Sequence, residues 1–179
     1  MMKRFSGVLW PNLRMVTAAM LSCAVLVVPS VTQAQPAGLK EGQAVGNISN
    51  KGKTASLAYA YVLRDNATNP KEVTLYLTDK PLPADVLNDS MKFMMYAMDH
   101  KGTSSLEYAL DPGNGFKERS MPKICVECQF GTSTNLIDIK FDPAPGKVFA
   151  GTVRIKTPDH AIVKENKMSA DVKFYAVLK

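Results

Sequence analysis

The stretch TASLAYAYVLR, residues 54–64, predicts a β-rich fold. Its large side chains stand at alternate positions, Leu57, Tyr59, Tyr61 and Leu63, with small residues between them. Successive side chains of a strand point to opposite faces, so this spacing predicts a strand with one bulky face.

Five further stretches alternate in the same way: EVTLYLTD (72–79), SLEYAL (105–110), NLIDIKFD (135–142), VFAGTVRIK (148–156) and ADVKFYAVLK (170–179). Glycine- and proline-rich turn sequences separate several of them. Regular alternation is typical of antiparallel sheets with one face in water. The sequence therefore predicts a mainly β fold, an antiparallel β-sandwich or open barrel.

One segment follows a helical period instead. In residues 84–99, Val86, Leu87, Met91, Met94, Met95 and Met98 recur at spacings of three and four. This pattern predicts one amphipathic helix over about residues 84–99, with these side chains facing the core.

The N-terminus has the order of a secretory signal peptide. Basic residues come first, an apolar run of about 14 residues follows, and small or polar residues come after Pro29. The run is shorter than the roughly 20 residues of a membrane-spanning helix. We predict a signal peptide over residues 1–34, cleavage between Ala34 and Gln35, and a single β-rich domain over residues 35–179. A retained anchor is the alternative. The mature protein would be exported, periplasmic or secreted, with no membrane span.

Charge and motifs exclude several functions. Without the leader, 19 basic and 16 acidic residues remain, a net charge of +3 without the basic block typical of nucleic-acid binding. The sequence lacks a nucleophile elbow, a zinc-protease helix, a phosphate-binding loop and a dinucleotide turn. We expect no enzymatic activity, no cofactor and no nucleic-acid partner.

Cys125 and Cys128, in KICVECQF (123–130), form the most chemically suggestive motif. No helix pattern follows them and Glu127 lies between them, which disfavours a reactive thiol; a zinc site lacks a second ligand pair. Export favours a disulfide between the two, since they are the only cysteines after cleavage. Such a bond requires a bend, because residues three apart in a straight strand lie about 10 Å apart. Two buried thiols on a strand are the alternative.

A second suggestive cluster is MKFMMYAMDH (91–100). Thioether and imidazole groups are ligands that Cu(I) prefers, so Met94, Met98 and His100 are candidate copper ligands. Core packing of the methionines explains the same pattern and is favoured. His160 and the acids Asp138 and Asp142 are interpreted as solvated surface groups.

Three stretches resemble an uncharacterised family of exported bacterial β-rich proteins: GNISNKGKTASLAYAYVLR (46–64), KEVTLYLTDKPLPADVL (71–87) and FAGTVRI (149–155). The resemblance implies a β-rich fold with an opening hairpin and supplies no catalytic residues. Cys125 and Cys128 are not part of the shared pattern.

Two functional hypotheses follow. The first is a non-enzymatic β-sandwich module of the bacterial cell envelope that binds an unknown protein or envelope ligand or has a structural role. The alternative is a periplasmic copper-handling protein that uses the methionine and histidine cluster or the cysteine pair.

Overall fold

Strands account for most of the computed structural model, which describes residues 38–64, 73–87, 90–99, 103–111, 117–118, 121–127, 131–142 and 147–178. In chain order the strands are β1 (Gln43–Asn50), β2 (Lys53–Arg64), β3 (Val73–Thr78), β4 (Ser105–Asp111), β5 (Lys117–Glu118), β6 (Lys123–Cys125), β7 (Thr132–Ser133), β8 (Ile137–Phe141), β9 (Val148–Ile155) and β10 (Ser169–Val177). Two helices are described, α1 (Ser90–Asp99) and α2 (Ala161–Glu165).

The strands pair into one antiparallel sheet that curls into a half-barrel. Their order across the sheet is β7-β6-β4-β3-β2-β1-β10-β9-β8, and β5 pairs with β4 beside β6. The predicted mainly β, antiparallel architecture is confirmed. The most informative feature of the order is that its two ends, β7 and β8, are consecutive strands in the chain.

A short segment, residues 134–136, joins these two end strands; we call it the seam linker. Four backbone steps from Ser133 to Ile137 span no more than about 14 Å, so the sheet must curl to bring its ends together. The linker continues both ladders. The Thr134 N–H donates to the Pro122 carbonyl on the β6 side at 2.8 Å, and the Leu136 carbonyl accepts from the Lys156 N–H on the β9 side at 2.7 Å.

Two glycines allow the strands to approach closely within the curl. A Cβ on Gly46 would overlap the Asp171 carbonyl of β10 and lie 2.6 Å from the Val172 Cα. A Cβ on Gly151 would overlap the Lys140 carbonyl of β8. Any other residue at these positions would push neighbouring strands apart, so glycine is required by the packing of the backbone.

The concave side of the sheet is filled by side chains. Buried residues from eight strands and from the segments beside them form one core, with Phe174, Val172 and Val153 fully buried at its centre. Tyr108 of β4 and Phe141 of β8 meet across the two halves of the curl, with ring centroids 6.3 Å apart. The interior is therefore a packed core.

Strand β2 departs from its predicted single bulky face. Leu57 lies in the main core, but Tyr61 and Leu63 pack in a second cluster on the opposite face, and Val62 occupies the core side instead. The β1–β2 register shifts where the three steps from Gln43 to Gly46 in β1 pair with two steps of β2, so β1 carries one extra residue there. The change of face in β2 lies at this irregularity, which the spacing in β2 alone did not reveal.

The helix is shorter than predicted, and its buried face differs. It begins at Ser90. Residues 84–87, which were predicted to belong to the helix, form a turn instead. Phe93 is buried with its ring 4.0 Å from that of Tyr76 on the outer face of the sheet, whereas Met95 is 59% exposed. The aromatic contact sets the orientation of the helix, so the prediction that Met95 faces the core is wrong. The short helix α2 was not predicted.

Replacing Gly151 with alanine tests the close approach of β8 and β9. We expect Gly151→Ala to lower the free energy of unfolding by about 1–3 kcal/mol or more, because the new methyl group meets backbone that cannot rotate away. Gly131→Ala is the control, since its Cβ would lie 3.1 Å from the Lys123 Cβ and need only a small shift. Denaturant unfolding gives both values, and equal stability of the wild type and Gly151→Ala would contradict the packing described.

Candidate functional site

A surface cavity of about 310 Å³ lies beside the seam linker; we call it the seam cavity. Its wall comes from four places: the β1–β2 turn, the segment that precedes β6, β7 with the linker, and α2 with the residues that follow it. The residues that line it are Asn50, Lys51, Met121, Thr132, Ser133, Thr134, Asn135, Leu136, Ile162, Asn166 and Met168. The curl of the sheet brings these distant segments together.

Apolar side chains on the wall of the seam cavity are unusually exposed. Met121 is 54% and Ile162 is 49% exposed, while Leu136 and Met168 are buried. Only two other large hydrophobic side chains in the described part of the chain are comparably exposed, Val45 and Met95. Exposed apolar groups that cluster within a polar rim are typical of interaction sites, and a flexible methionine adapts to different partners.

Hydrogen bonds hold the wall in place. The Lys51 N–H donates to the Asn166 carbonyl at 2.6 Å, which ties the β1–β2 turn to the segment after α2. The Asn166 side-chain amide donates to the Ile162 carbonyl at 3.0 Å. The Thr134 hydroxyl accepts from the Leu136 N–H at 3.1 Å within the linker. These hydrogen bonds therefore fix the backbone that carries the exposed apolar side chains.

The charge on the rim is positive. Lys51 is exposed, with a left-handed φ of 52°, and among the described residues that line the cavity there is no aspartate or glutamate. The cavity thus combines apolar surface with hydrogen-bonding groups and one cation. It is suited to hold an apolar side chain whose flanking groups are polar or acidic.

His160 caps helix α2, which carries Ile162. Its Nδ1 accepts a hydrogen bond from the Ile162 N–H at 3.3 Å, and its ring is exposed. Beside it, the Asp159 carboxylate lies 3.0 Å from the Lys164 ammonium. His160 is at the surface, as predicted, and has a capping contact that the sequence interpretation did not include.

The Cys125 region contains the bend that a local disulfide requires. Strand β6 ends at Cys125, and Val126 and Glu127 form a bend in which Glu127 has a left-handed φ of 46°. The Glu127 N–H donates to the Ser104 hydroxyl at 3.0 Å, and its carboxylate lies 3.2 Å from the Lys53 ammonium. Both contacts stabilise the bend.

Cys125 is disulfide-bonded and buried. Its Sγ lies 3.8 Å from the Thr103 carbonyl, which is a packing contact because a disulfide sulfur has no proton to donate. Cys128 lies outside the described residues, so the pairing of Cys125 with Cys128 stays a prediction.

The pKa values of Glu107 and Tyr61 are both shifted by burial. Burial raises the pKa of Glu107 on β4, and the Lys123 ammonium 3.8 Å away partly offsets that rise. Burial also raises the pKa of Tyr61, whose hydroxyl accepts a hydrogen bond from the Leu82 N–H at 3.1 Å. Tyr61 lines a second, smaller cavity of about 140 Å³. Both groups are held against the outer face of the sheet.

The copper hypothesis stays a prediction. The side chains of Met94 and Met98, and His100 altogether, lie outside what the structure describes, as do the predicted cleavage residues Ala34 and Gln35. Within the described residues no group of three or more histidine, cysteine or acidic side chains is placed to hold a metal ion. No helix there is long and apolar enough to cross a membrane.

Comparisons with family models, with curated proteins and with solved structures find no match. The resemblance to exported bacterial proteins therefore stays a prediction. The seam cavity was not predicted from sequence, because Met121 lies in an irregular segment and Ile162 in a five-residue helix, and neither segment has a recognisable motif. The only sequence signal was that Met121 and Ile162 lie outside the alternating strands.

Two measurements separate the effect of the disulfide's loop closure on stability from the effect of burying residue 125. Reduction alone should change the unfolding temperature little, since a four-residue loop contributes less than the about 3 kcal/mol of a 15-residue loop. The double variant Cys125→Ser, Cys128→Ser should lose roughly 1–3 kcal/mol, because the structure buries position 125 and a hydroxyl there must be desolvated.

Thermal unfolding with and without reductant measures both effects, and thiol counting in denaturant establishes the oxidation state. Two free thiols in protein from its native compartment would contradict the predicted pair. A serine variant as stable as the wild type would contradict the burial of Cys125.

Proposed function

We propose that this protein is an exported, non-enzymatic binding module of the bacterial cell envelope. In this proposal, the seam cavity accepts an apolar side chain of a partner protein. The proposal rests on one observation. Met121 and Ile162, two exposed large apolar side chains, line the same cavity.

The packed core supports a surface site. Core side chains fill the concave side of the half-barrel, including the aromatic contact between Tyr108 and Phe141. A ligand inside the sheet would have to displace these groups and lose their burial energy, about 1.5–3 kcal/mol for each large side chain. Binding at the rim needs no such displacement.

The rigidity of the wall supports recognition of a partner. One backbone hydrogen bond holds Asn166 to Lys51, and Ile162 projects from a helix capped by His160. Apolar contact groups held in place before binding lose little conformational entropy when the partner arrives. Met121 lies outside the regular strands, and its flexible side chain can adjust to the shape of a partner.

Site-specific photo-crosslinking in living cells tests the proposal. A benzophenone amino acid in place of Ile162 should give one or a few discrete crosslinked products, and the crosslinked protein should begin at Gln35. The matched control carries the same probe in place of Val45, which is 59% exposed on β1.

The added change Met121→Lys should reduce the Ile162 crosslinks at least about tenfold, because a buried unpaired charge opposes apolar contact. Identical products from positions 162 and 45, or products unaffected by Met121→Lys, would overturn the assignment of the cavity. Recovery of the protein only from the cytoplasm would overturn export.

A further inference from the structure

The lining of the seam cavity has a buried part beneath its exposed rim. Four of the lining residues are buried, and we call them the floor: Asn50, Thr134, Leu136 and Met168. Leu136 and Met168 belong to the main core, whereas Asn50 and Thr134 are polar and each only 8% exposed. Burying polar groups costs free energy unless they are hydrogen-bonded, so the bonding of these two side chains indicates what the cavity can hold.

The Asn50 amide faces the cavity with its hydrogen-bonding capacity unused. Asn50 ends β1 two residues after the fully buried Ile48, so its side chain lies on the concave face of the sheet. Among the described residues no group hydrogen bonds to this amide, and none of their side-chain nitrogen or oxygen atoms is both enclosed and unpaired. The amide is therefore open to the cavity, where it offers one acceptor and two donors.

The Thr134 hydroxyl is the second polar group of the floor. Its oxygen accepts the hydrogen bond from the Leu136 N–H at 3.1 Å, which holds the side chain in place. That bond does not use the hydroxyl proton, so Thr134 can still donate to a ligand. A wholly apolar side chain seated on the floor would displace water from Asn50 and Thr134 and leave both groups unpaired.

A group that satisfies both levels of the cavity has an apolar body and a polar tip. The body contacts Met121 and Ile162 at the rim, and the tip reaches the floor. Among side chains, tyrosine has this form, since its ring is apolar and its hydroxyl both donates and accepts. Phenylalanine and leucine lack the tip, and the tryptophan N–H only donates. The cavity volume of about 310 Å³ lies within the range of roughly 300–1,000 Å³ typical of ligand sites.

We infer that the partner residue seated in the seam cavity is a tyrosine. This inference rests on the proposed function, which places an apolar side chain of a partner protein there; the tyrosine ring is that apolar group. The phenol donates to the Asn50 amide oxygen and accepts from the N–H and O–H donors of the floor. The ring packs against Ile162 and against the Met121 sulfur, because thioethers make favourable contacts with aromatic rings.

Two probes that differ by one hydroxyl group test the inference, N-acetyl-tyrosinamide and N-acetyl-phenylalaninamide. Titrations of the purified protein follow the Ile162 methyl and Asn50 side-chain amide signals by nuclear magnetic resonance. The tyrosine probe should bind at least about tenfold more tightly, because the phenylalanine probe leaves the polar floor unpaired. Equal affinities, or signal changes that map away from the seam cavity, would overturn the inference.

Variants of the floor locate the source of this preference. Asn50→Leu should reduce the preference to below about threefold, because the amide that recognises the hydroxyl is gone. Thr134→Val, which removes the second hydroxyl donor, should reduce it as well. Asn47→Leu, on the outer face of the same strand, is the matched control and should leave the preference within about threefold. Circular dichroism checks that each variant folds, and a preference that both floor variants leave unchanged would overturn the inference.

Crosslinking from position 162 in cells separates a failure of this inference from a failure of the proposed function. Discrete crosslinks without a tyrosine preference in the titrations would overturn the tyrosine and leave the proposed partner site standing. A tyrosine preference that Asn50→Leu removes, without any crosslink from position 162, would overturn the partner protein and with it the partner tyrosine. Crosslinks together with the preference support both.

Discussion

The three residues of the seam linker impose the main constraint on this structure. They join the first and last strands of the sheet order, so the sheet must curl until β7 and β8 lie close together. Thr134 bonds to the β6 side and Leu136 to the β9 side, which makes the linker part of both ladders. The curl in turn requires close strand approach, and Gly46 and Gly151 are the residues that permit it.

The surface features follow from the same constraint. The curl places the β1–β2 turn, the linker and helix α2 around one cavity, where Met121 and Ile162 are exposed. A flat sheet of the same strands would not bring these residues together. The proposed partner site is thus a product of the topology.

The sequence predicted six strands, β2, β3, β4, β8, β9 and β10, because each carries its own alternation, as in Ile137–Phe141 and Ser169–Val177. Strands of two or three residues such as β5 and β7 are too short to show a period. The sequence did not predict the change of face in β2, since the bulge depends on the register with β1. It placed Met95 in the core because spacing alone cannot tell which side of a helix meets an aromatic partner such as Tyr76. The seam cavity depends on contacts between segments distant in the chain, which no local pattern encodes.

Nuclear Overhauser spectroscopy on the mature protein tests the central claim most directly, because it detects backbone contacts on both sides of the linker at once. We expect contacts of the Thr134 amide with Pro122 and of the Lys156 amide with Leu136 in the same monomeric sample. Both sets together require the two ends of the sheet to meet. Contacts on one side without the other would show that the linker does not join the two ladders, and would contradict the curled half-barrel.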